Sequence, residues 1–359
     1  MAEKELKIML SGGGTGGTVT PLLAIAREFY RKYNNSTFVF VGTHSGPEKT
    51  LAEEVAKDLP LKFIPMLSGK WRRYFSVKNI TDLFNIGGAY FQSIYLLKKE
   101  RPNLVISVGA FVSVPLVWAA KLLRVPVLIH QQDLRPGLAN RLMSGAADVI
   151  TVTFPNSLKV YGSKAILTGN PYSLPSLPSR EVVFKKYNLD LKKSLVLIFG
   201  GGTGSVSINE AVKTNLVDLL PVTQVIHVTG RGKLITESHA GYFSTEFLSH
   251  LDLISVMSAC DIIVARPGLG TLTELSALKK ASILVPMPNS HQEDNATACA
   301  EAGAAIYIEQ KDLPDKLVRT VTDLLNSESR RFELETKMAT IIKSGAADAI
   351  VDLSYKLIK

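Results

Sequence analysis

Short apolar runs rich in β-branched residues alternate along the chain with longer stretches whose apolar positions recur every three or four residues, the pattern of strands separated by helices. In the first half the runs are Lys7 to Leu10, Thr37 to Val41, Leu104 to Val108, Val127 to His130 and Val149 to Val152. In the second half they are Leu195 to Phe199, Gln224 to Val228, Ile262 to Ala265, Ser282 to Val285 and Ala305 to Ile308. Strands spaced by helices form parallel sheets through right-handed crossovers. Between the halves, Asn170-Pro171-Tyr172-Ser173-Leu174-Pro175, with Pro178 and Ser179, has the composition of a linker. The pattern predicts an α/β protein of two Rossmann-like, doubly wound domains facing a cleft: residues 1–168, a linker at 169–180, and residues 181–339. A helical tail over about 340–359, with Ile350, Leu353 and Leu357 at helical spacing, is expected to pack back on the first domain.

The 359 residues are 46% hydrophobic and 20% charged, which suits about two cores and excludes a disordered chain. Cys260 and Cys299 match no zinc-ligand spacing and read as packing residues of a protein in a reducing cytoplasm. The opening Met1-Ala2-Glu3-Lys4-Glu5 leads into no signal-peptide pattern. Leu104 to Ala120 is uncharged, but Gly109, Ser113 and Pro115 divide it into strand, turn and helix, so no transmembrane helix is expected. Residues 1–165 hold 21 Lys and Arg against 11 Asp and Glu, whereas residues 166–359 hold 20 against 21. The excess points to an anionic partner for the first half; no recognition motif favours nucleic acid.

Three turns can carry chemistry. Ser11-Gly12-Gly13-Gly14-Thr15-Gly16-Gly17-Thr18 ends the first strand, with a helix expected to start near Pro21. Glycines let a ligand approach the backbone, and free N–H groups at a helix start favour anions, so the turn is a candidate diphosphate cradle; a tight turn without a ligand is the alternative. Phe199-Gly200-Gly201-Gly202-Thr203-Gly204-Ser205 opens the second domain in the same way. Arg266-Pro267-Gly268-Leu269-Gly270-Thr271-Leu272-Thr273-Glu274 also joins a strand to a helix, and Glu274 is suited either to accept from ribose hydroxyls or to face solvent.

Gly13-Gly14-Thr15-Gly16-Gly17, Gly109-Ala110-Phe111-Val112-Ser113, His130-Gln131-Gln132-Asp133 with Gly137 and Asn140, Gly169-Asn170-Pro171, the Arg266 to Glu274 turn, and His291-Gln292 with Asn295-Ala296 together resemble the MurG family, in order along nearly the whole chain. The resemblance implies a GT-B fold. It also implies inverting, metal-independent transfer of N-acetylglucosamine from UDP-N-acetylglucosamine to the undecaprenyl-diphosphate-linked muramoyl peptide of peptidoglycan synthesis, lipid I to lipid II, with no cofactor required. Carried over by position, Gly13, Gly14, Thr15, Gly16 and Gly17, with Phe111, Gln131 and Asn140, would meet the acceptor and its diphosphate, and Thr15 to Gly17 also the edge of the donor. On the donor side, Asp133 would touch the sugar, and Ser173, Gly202 and Asn209 stand at further donor positions. Leu248 would meet uracil, with His250 as the alternative; Leu269, Gly270 and Thr271 the phosphates, with Leu272 and Thr273 at further donor positions; Glu274 the ribose; His291, Gln292 and Asn295 the sugar.

The chain departs from the family pattern mainly on the acceptor side. Thr18 stands where the family has His, Gln131-Gln132-Asp133 where it has Glu, Gln and Asn, Ser173 where it often has Arg, and Gly202 where it has Ser. Thr18 cannot act as a base near neutral pH. Asp133 is then the nearest carboxylate on the matching loop to take the proton of the attacking hydroxyl, with His130 as runner-up; equally, Asp133 caps a turn or orients a substrate. Helix N-termini at the second and third turns would neutralise departing UDP without a metal ion.

Lys70-Trp71-Arg72-Arg73-Tyr74-Phe75, Lys78 and Phe84, followed by Tyr90, Phe91, Tyr95, Lys98, Lys99 and Arg101, mix aromatic and basic residues. Two readings stand: a surface for the anionic cytoplasmic leaflet that carries the acceptor, or a core helix with a solvated charged face. Two alternatives to the MurG reaction also stand: a UDP-sugar transferase of the same fold with another lipid or small-molecule acceptor, and a non-catalytic UDP-sugar-binding homologue.

Overall fold

The computed structural model describes residues 5–14, 16–44, 46, 48–67 and 78–359, and their side chains except at 16 and 78–85. The chain divides into two compact units, Met1–Ser173 with Lys343–Lys359, and Leu174–Ile342.

Numbered in chain order, the first unit contains β1 (Leu6–Ser11), α1 (Gly16–Lys32), β2 (Ser36–Gly42), α2 (Glu48–Val55), β3 (Leu61–Pro65), α3 (Lys78–Glu100), β4 (Leu104–Ser107), α4 (Ser113–Leu122), β5 (Val127–Gln131), α5 (Leu138–Met143), β6 (Val149–Val152), α6 (Asn156–Tyr161) and β7 (Ala165–Leu167). Its strands form one parallel sheet in the order β3-β2-β1-β4-β5-β6-β7. Side chains alternate across the sheet. Ile8 and Leu10 pack on one face with Leu22, Phe29, Phe38 and Phe40, and Met9 on the other with Val105, Leu116 and Ile129.

The second unit contains α7 (Arg180–Lys186), β8 (Leu195–Phe199), α8 (Val206–Leu219), β9 (Gln224–Val228), β10 (Tyr242–Thr245), α9 (His250–Ala259), β11 (Ile262–Ala265), α10 (Leu269–Leu278), β12 (Ser282–Leu284), α11 (His291–Glu301), β13 (Ile306–Tyr307), α12 (Leu313–Leu325) and α13 (Glu328–Ile341). Its parallel sheet runs β10-β9-β8-β11-β12-β13.

The last helix, α14 (Ala346–Ile358), belongs to the first unit. Ile350 and Val351 are fully buried in the α1 face of the core, and Tyr355 stacks on Tyr33 at 4.5 Å. Lys32 Nζ lies 2.7 Å from a carboxylate oxygen of both Asp348 and Asp352. Apolar burial supplies most of this attachment, since exposed ion pairs contribute about 0–1 kcal/mol each.

Two expectations are corrected. Helix α1 begins at Gly16, so Pro21 lies inside it. Strands β3, β7 and β10 were absent from the sequence pattern, and all three are outer strands of their sheets.

Candidate active site

Ligands of open α/β sheets bind at the carboxyl ends of strands where the winding reverses. In the first unit that place is between β1 and β4. The segments after β1, β4 and β5 are the first Gly-rich turn, Gly109–Phe111 and Gln132–Asp133. Ser11 Oγ lies 2.9 Å from Ser113 Oγ, which donates to Gly109 O at 2.7 Å, and Gln132 Nε2 donates to Gly17 O at 2.9 Å. These contacts bring the three segments together.

Within them, Gly12 and Gly13 are buried, while Gly14 and Gly17 are exposed; Thr15 lies outside the described residues. Thr18 Oγ1 donates to Gly13 O at 3.1 Å, a brace within the turn. Asp133 is exposed and Phe111 half-buried. Ser173 is exposed at the end of its unit.

Three of the expected site residues here are buried. His130 is fully buried, with Nδ1 3.0 Å from Thr151 Oγ1 and Nε2 3.2 Å from Asn170 Oδ1. Burial pulls its ring down to about 4, so it is neutral at pH 7, and both ring nitrogens are engaged inside the unit. Gln131 Nε2 donates to Asp133 O at 2.8 Å, and its Oε1 accepts from Asn140 Nδ2 at 2.7 Å and Tyr161 Oη at 3.1 Å. Burial pushes the Tyr161 phenol up to about 12, so it remains a donor. Gln131 and Asn140 are both buried, and their amides shape the loop that presents Asp133 instead of facing outward to an acceptor.

In the second unit the corresponding carboxyl ends, after β8, β11 and β12, carry Gly200–Ser205, Arg266–Gly268 and the segment leading to α11. Gly204 has φ +72°, and an added Cβ there would overlap Thr229 O and the Gly230 backbone, so only glycine fits. Gly201, Gly202, Gly268 and Gly270 border open space. Ser205 caps α8, accepting from Ile208 N at 3.4 Å. Gly268 precedes α10 without a side-chain cap, so the first N–H groups of that helix, at Leu269, Gly270 and Thr271, suit an anion.

Arg266, a buried residue whose role the sequence pattern did not reveal, joins the two turns. Its guanidinium donates to Val285 O at 2.9 Å, Ser205 Oγ at 2.8 Å and Gln310 Oε1 at 2.5 Å. Among the described residues it has no carboxylate partner, which leaves a net positive charge at the turns.

The other donor-side residues differ in how far they are exposed. Leu272 is buried and its N–H bonds Gly268 O at 2.9 Å; Thr273 is buried with Oγ1 donating to Leu269 O at 2.8 Å. Both face inward. Asn209 is buried, donating to Thr229 O at 3.0 Å with Oδ1 3.1 Å from His227 Nε2. Asn295 donates to Pro267 O at 2.9 Å and so fixes the turn before α10. Gln292 is half-buried, its Oε1 accepting from Met287 N at 3.0 Å, and His291 is exposed beside it at the start of α11. Leu248 is half-buried in the loop before α9. The Glu274 side chain is 13% exposed, its Oε1 3.8 Å from His250 Nδ1, and burial pushes its carboxyl up to about 7. Among the described residues no cluster of His, Cys, Asp or Glu is placed to hold a metal ion.

Lys70, Trp71, Arg72, Arg73, Tyr74 and Phe75 lie outside the described residues, as do the side chains of Lys78 and Phe84. On the helices that follow, Phe91 and Tyr95 of α3, Trp118 and Leu122 of α4, and Leu138 and Leu142 of α5 are exposed. Helix α4 packs against both α3 and α5, and Trp118 Nε1 donates to Leu142 O at 3.0 Å. Lys98, Lys99, Lys121, Arg124 and Arg141 are exposed on or beside the same helices. The sequence pattern singled out Phe91 and Tyr95 but not the apolar residues of α4 and α5. Among the described residues no helix is long and apolar enough to cross a membrane.

Residues 8–152 match the glycosyltransferase family 28 N-terminal domain, and residues 195–353 the family 28 C-terminal domain. The UDP-N-acetylglucosamine--N-acetylmuramyl-(pentapeptide) pyrophosphoryl-undecaprenol N-acetylglucosamine transferase of Clostridium kluyveri is 36% identical, with 98% of each chain covered. The Clostridium perfringens protein of the same name is 34% identical over 98% of this chain and 99% of its own. Among solved structures, MurG of Acinetobacter baumannii superposes with a TM-score of 0.76 at 26% identity, covering 98% of this chain and 99% of that one. With two parallel α/β units, matches to both family 28 domains and kinship along its whole length, the chain has the GT-B fold and belongs to the MurG family of N-acetylglucosamine transferases.

Proposed function

We propose that the chain transfers N-acetylglucosamine from UDP-N-acetylglucosamine to the undecaprenyl-diphosphate-linked muramoyl pentapeptide, by single displacement and without a metal ion. The observation that carries this reading is 36% identity to a transferase of that name over 98% of both chains. The donor diphosphate is held by the N–H groups of Leu269, Gly270 and Thr271 and by the charge of Arg266, which take the negative charge of departing UDP. Glu274 accepts from the ribose hydroxyls, Leu248 packs on uracil, and His291 with Gln292 reads the sugar. The acceptor hydroxyl attacks the anomeric carbon, its proton passes to the Asp133 carboxylate, and the bond to UDP breaks with its electron pair, inverting the centre. The exposed apolar residues of α3, α4 and α5, among lysines and arginines, favour peripheral attachment to an anionic leaflet on the cytoplasmic side of the membrane.

Product configuration, read by NMR after turnover in excess chelator, tests the mechanism. An inverted linkage formed at the rate seen without chelator supports it; retention, or a strict metal requirement, contradicts it.

Thr18 and Ser173, which replace the family's His and Arg, favour a second reading in which the donor is the same and the acceptor another lipid or small molecule. UDP binding without transfer to the muramoyl lipid, together with transfer once another acceptor is supplied, would select it; UDP binding with no transfer to any acceptor would select the non-catalytic homologue.

A further inference from the structure

We propose that Glu48 is a positioning residue that sets the shape of the Gly13-Gly14 turn for the acceptor diphosphate, an inference that rests on the function proposed above. Glu48 opens α2 and is fully buried. Its Oε1 accepts from Thr43 N at 2.7 Å and Thr43 Oγ1 at 2.5 Å, and its Oε2 accepts from Gly14 N at 3.3 Å. Three glycines make room for it. An added Cβ at Gly13 would stand 2.5 Å from Glu48 Oε1, one at Gly42 2.5 Å from Glu48 Cγ, and one at Gly46 would overlap the carboxylate.

A buried carboxylate is costly unless its oxygens are bonded, and the N-terminus of its own helix favours the charge further. The functional consequence lies at Gly14, which is exposed and borders open space, so packing does not fix its backbone. The bond to Glu48 Oε2 anchors that amide from below. Because the Gly14 N–H is engaged inward, Glu48 acts on the conformation of the turn and not on the ligand directly.

Donors on two segments require two acceptor oxygens, which only a carboxylate supplies. Glutamine fills the same space, but with its carbonyl toward Thr43 N–H it turns its NH2 group toward Gly14 N–H, setting donor against donor. Filling the space and anchoring Gly14 are therefore separable.

The test is Glu48→Gln in the full chain, with Thr43→Val as control. Acceptor KM is measured with the lipid-linked muramoyl pentapeptide, UDP Kd by calorimetry, and Gly14 amide exchange by NMR. Glu48→Gln is expected to raise acceptor KM by about tenfold and abolish Gly14 protection, with UDP Kd within about twofold of wild type. Thr43→Val, which leaves the bond to Gly14, is expected to keep acceptor KM within about twofold. An unchanged acceptor KM in Glu48→Gln, or UDP Kd worsening in step with it, overturns the proposal. Should that variant not fold, rapid exchange of Gly14 in the wild-type protein overturns it and slow exchange supports it. Absence of transfer by the wild-type protein would instead remove the functional reading, while Gly14 exchange still reports the anchor.

Discussion

Gln132 donates its side-chain amide to the carbonyl of Gly17 across 2.9 Å, and that carbonyl is the one left without an intrahelical donor by Pro21, four residues on. A proline inside the first helix thus creates an acceptor through which the loop after β5 grips the Gly-rich turn after β1. Gln132→Ala is expected to cost about 1 kcal/mol, a fall in Tm of roughly 2–4 °C, and to leave UDP affinity unchanged. Gln132→Glu, which sets a carboxylate against the carbonyl, is expected to cost more. Thermal melts and calorimetry with UDP check both; a Gln132→Glu variant as stable as wild type would contradict the contact.

Central strands were legible from sequence because they are continuous apolar runs, such as Leu195–Phe199, buried along their whole length. The missed strands are edges: β3 carries Lys62 and ends in Pro65, β7 has three residues, and β10 is only half-buried, so none shows a strong run. The start of α1 was misplaced because Pro21 resembles a first-turn proline. At the site, motif order identified the segments but not the direction of each side chain. Gln131, Asn140, Asn209 and Asn295 belong to the motifs, yet all four are buried and brace the backbone. Arg266 and Glu48 went unassigned because their partners, Ser205 and Gln310 for one, Thr43 and Gly14 for the other, are brought together only by the fold.

Glu274 combines a cost to stability with a predicted gain in binding. Its carboxyl sits near 7 against an ordinary 4.5, so its stabilising effect is fully present below 4.5 and is lost as pH rises through about 7. Glu274→Gln is expected to raise Tm by a few degrees at pH 8 and to change it little at pH 5. The same substitution should weaken UDP by about tenfold or more at pH 8. In the wild-type protein, UDP affinity should fall as pH drops from 8 to 6, because the protonated carboxyl loses acceptor capacity. Calorimetry across that range checks the sign, and a pH-independent affinity would contradict the ribose role.

His130 and His227 act in the opposite direction. Burial lowers both from 6.5 to about 4, so the stability they contribute is present above 6.5 and is lost as pH falls toward 4. Each accounts for on the order of 2–3 kcal/mol over that interval. Urea denaturation at pH 7.5 and pH 5 should show a marked loss at the lower pH, and ring titrations by NMR should find no protonation of either histidine above pH 5.

Leu122 and Leu142 are exposed on helices linked by the Trp118 to Leu142 hydrogen bond. Replacing both by Glu places charge in the apolar layer and is expected to weaken binding to anionic vesicles by about tenfold or more, with UDP affinity unchanged. Vesicle binding indifferent to these changes and to salt would remove α4 and α5 from the membrane surface.

Asp133 is the exposed carboxylate on the loop that Gln131 and Gln132 hold in place. As the base, its replacement by Ala should lower kcat by at least about a hundredfold with UDP Kd little changed. Near-normal kcat would return it to an orienting role.

The most direct test of the account is transfer of radiolabelled N-acetylglucosamine from its UDP donor to the lipid-linked muramoyl pentapeptide, with UDP release followed in the same reaction. Labelled lipid product is expected to form in step with UDP. UDP binding with no labelled lipid would contradict it.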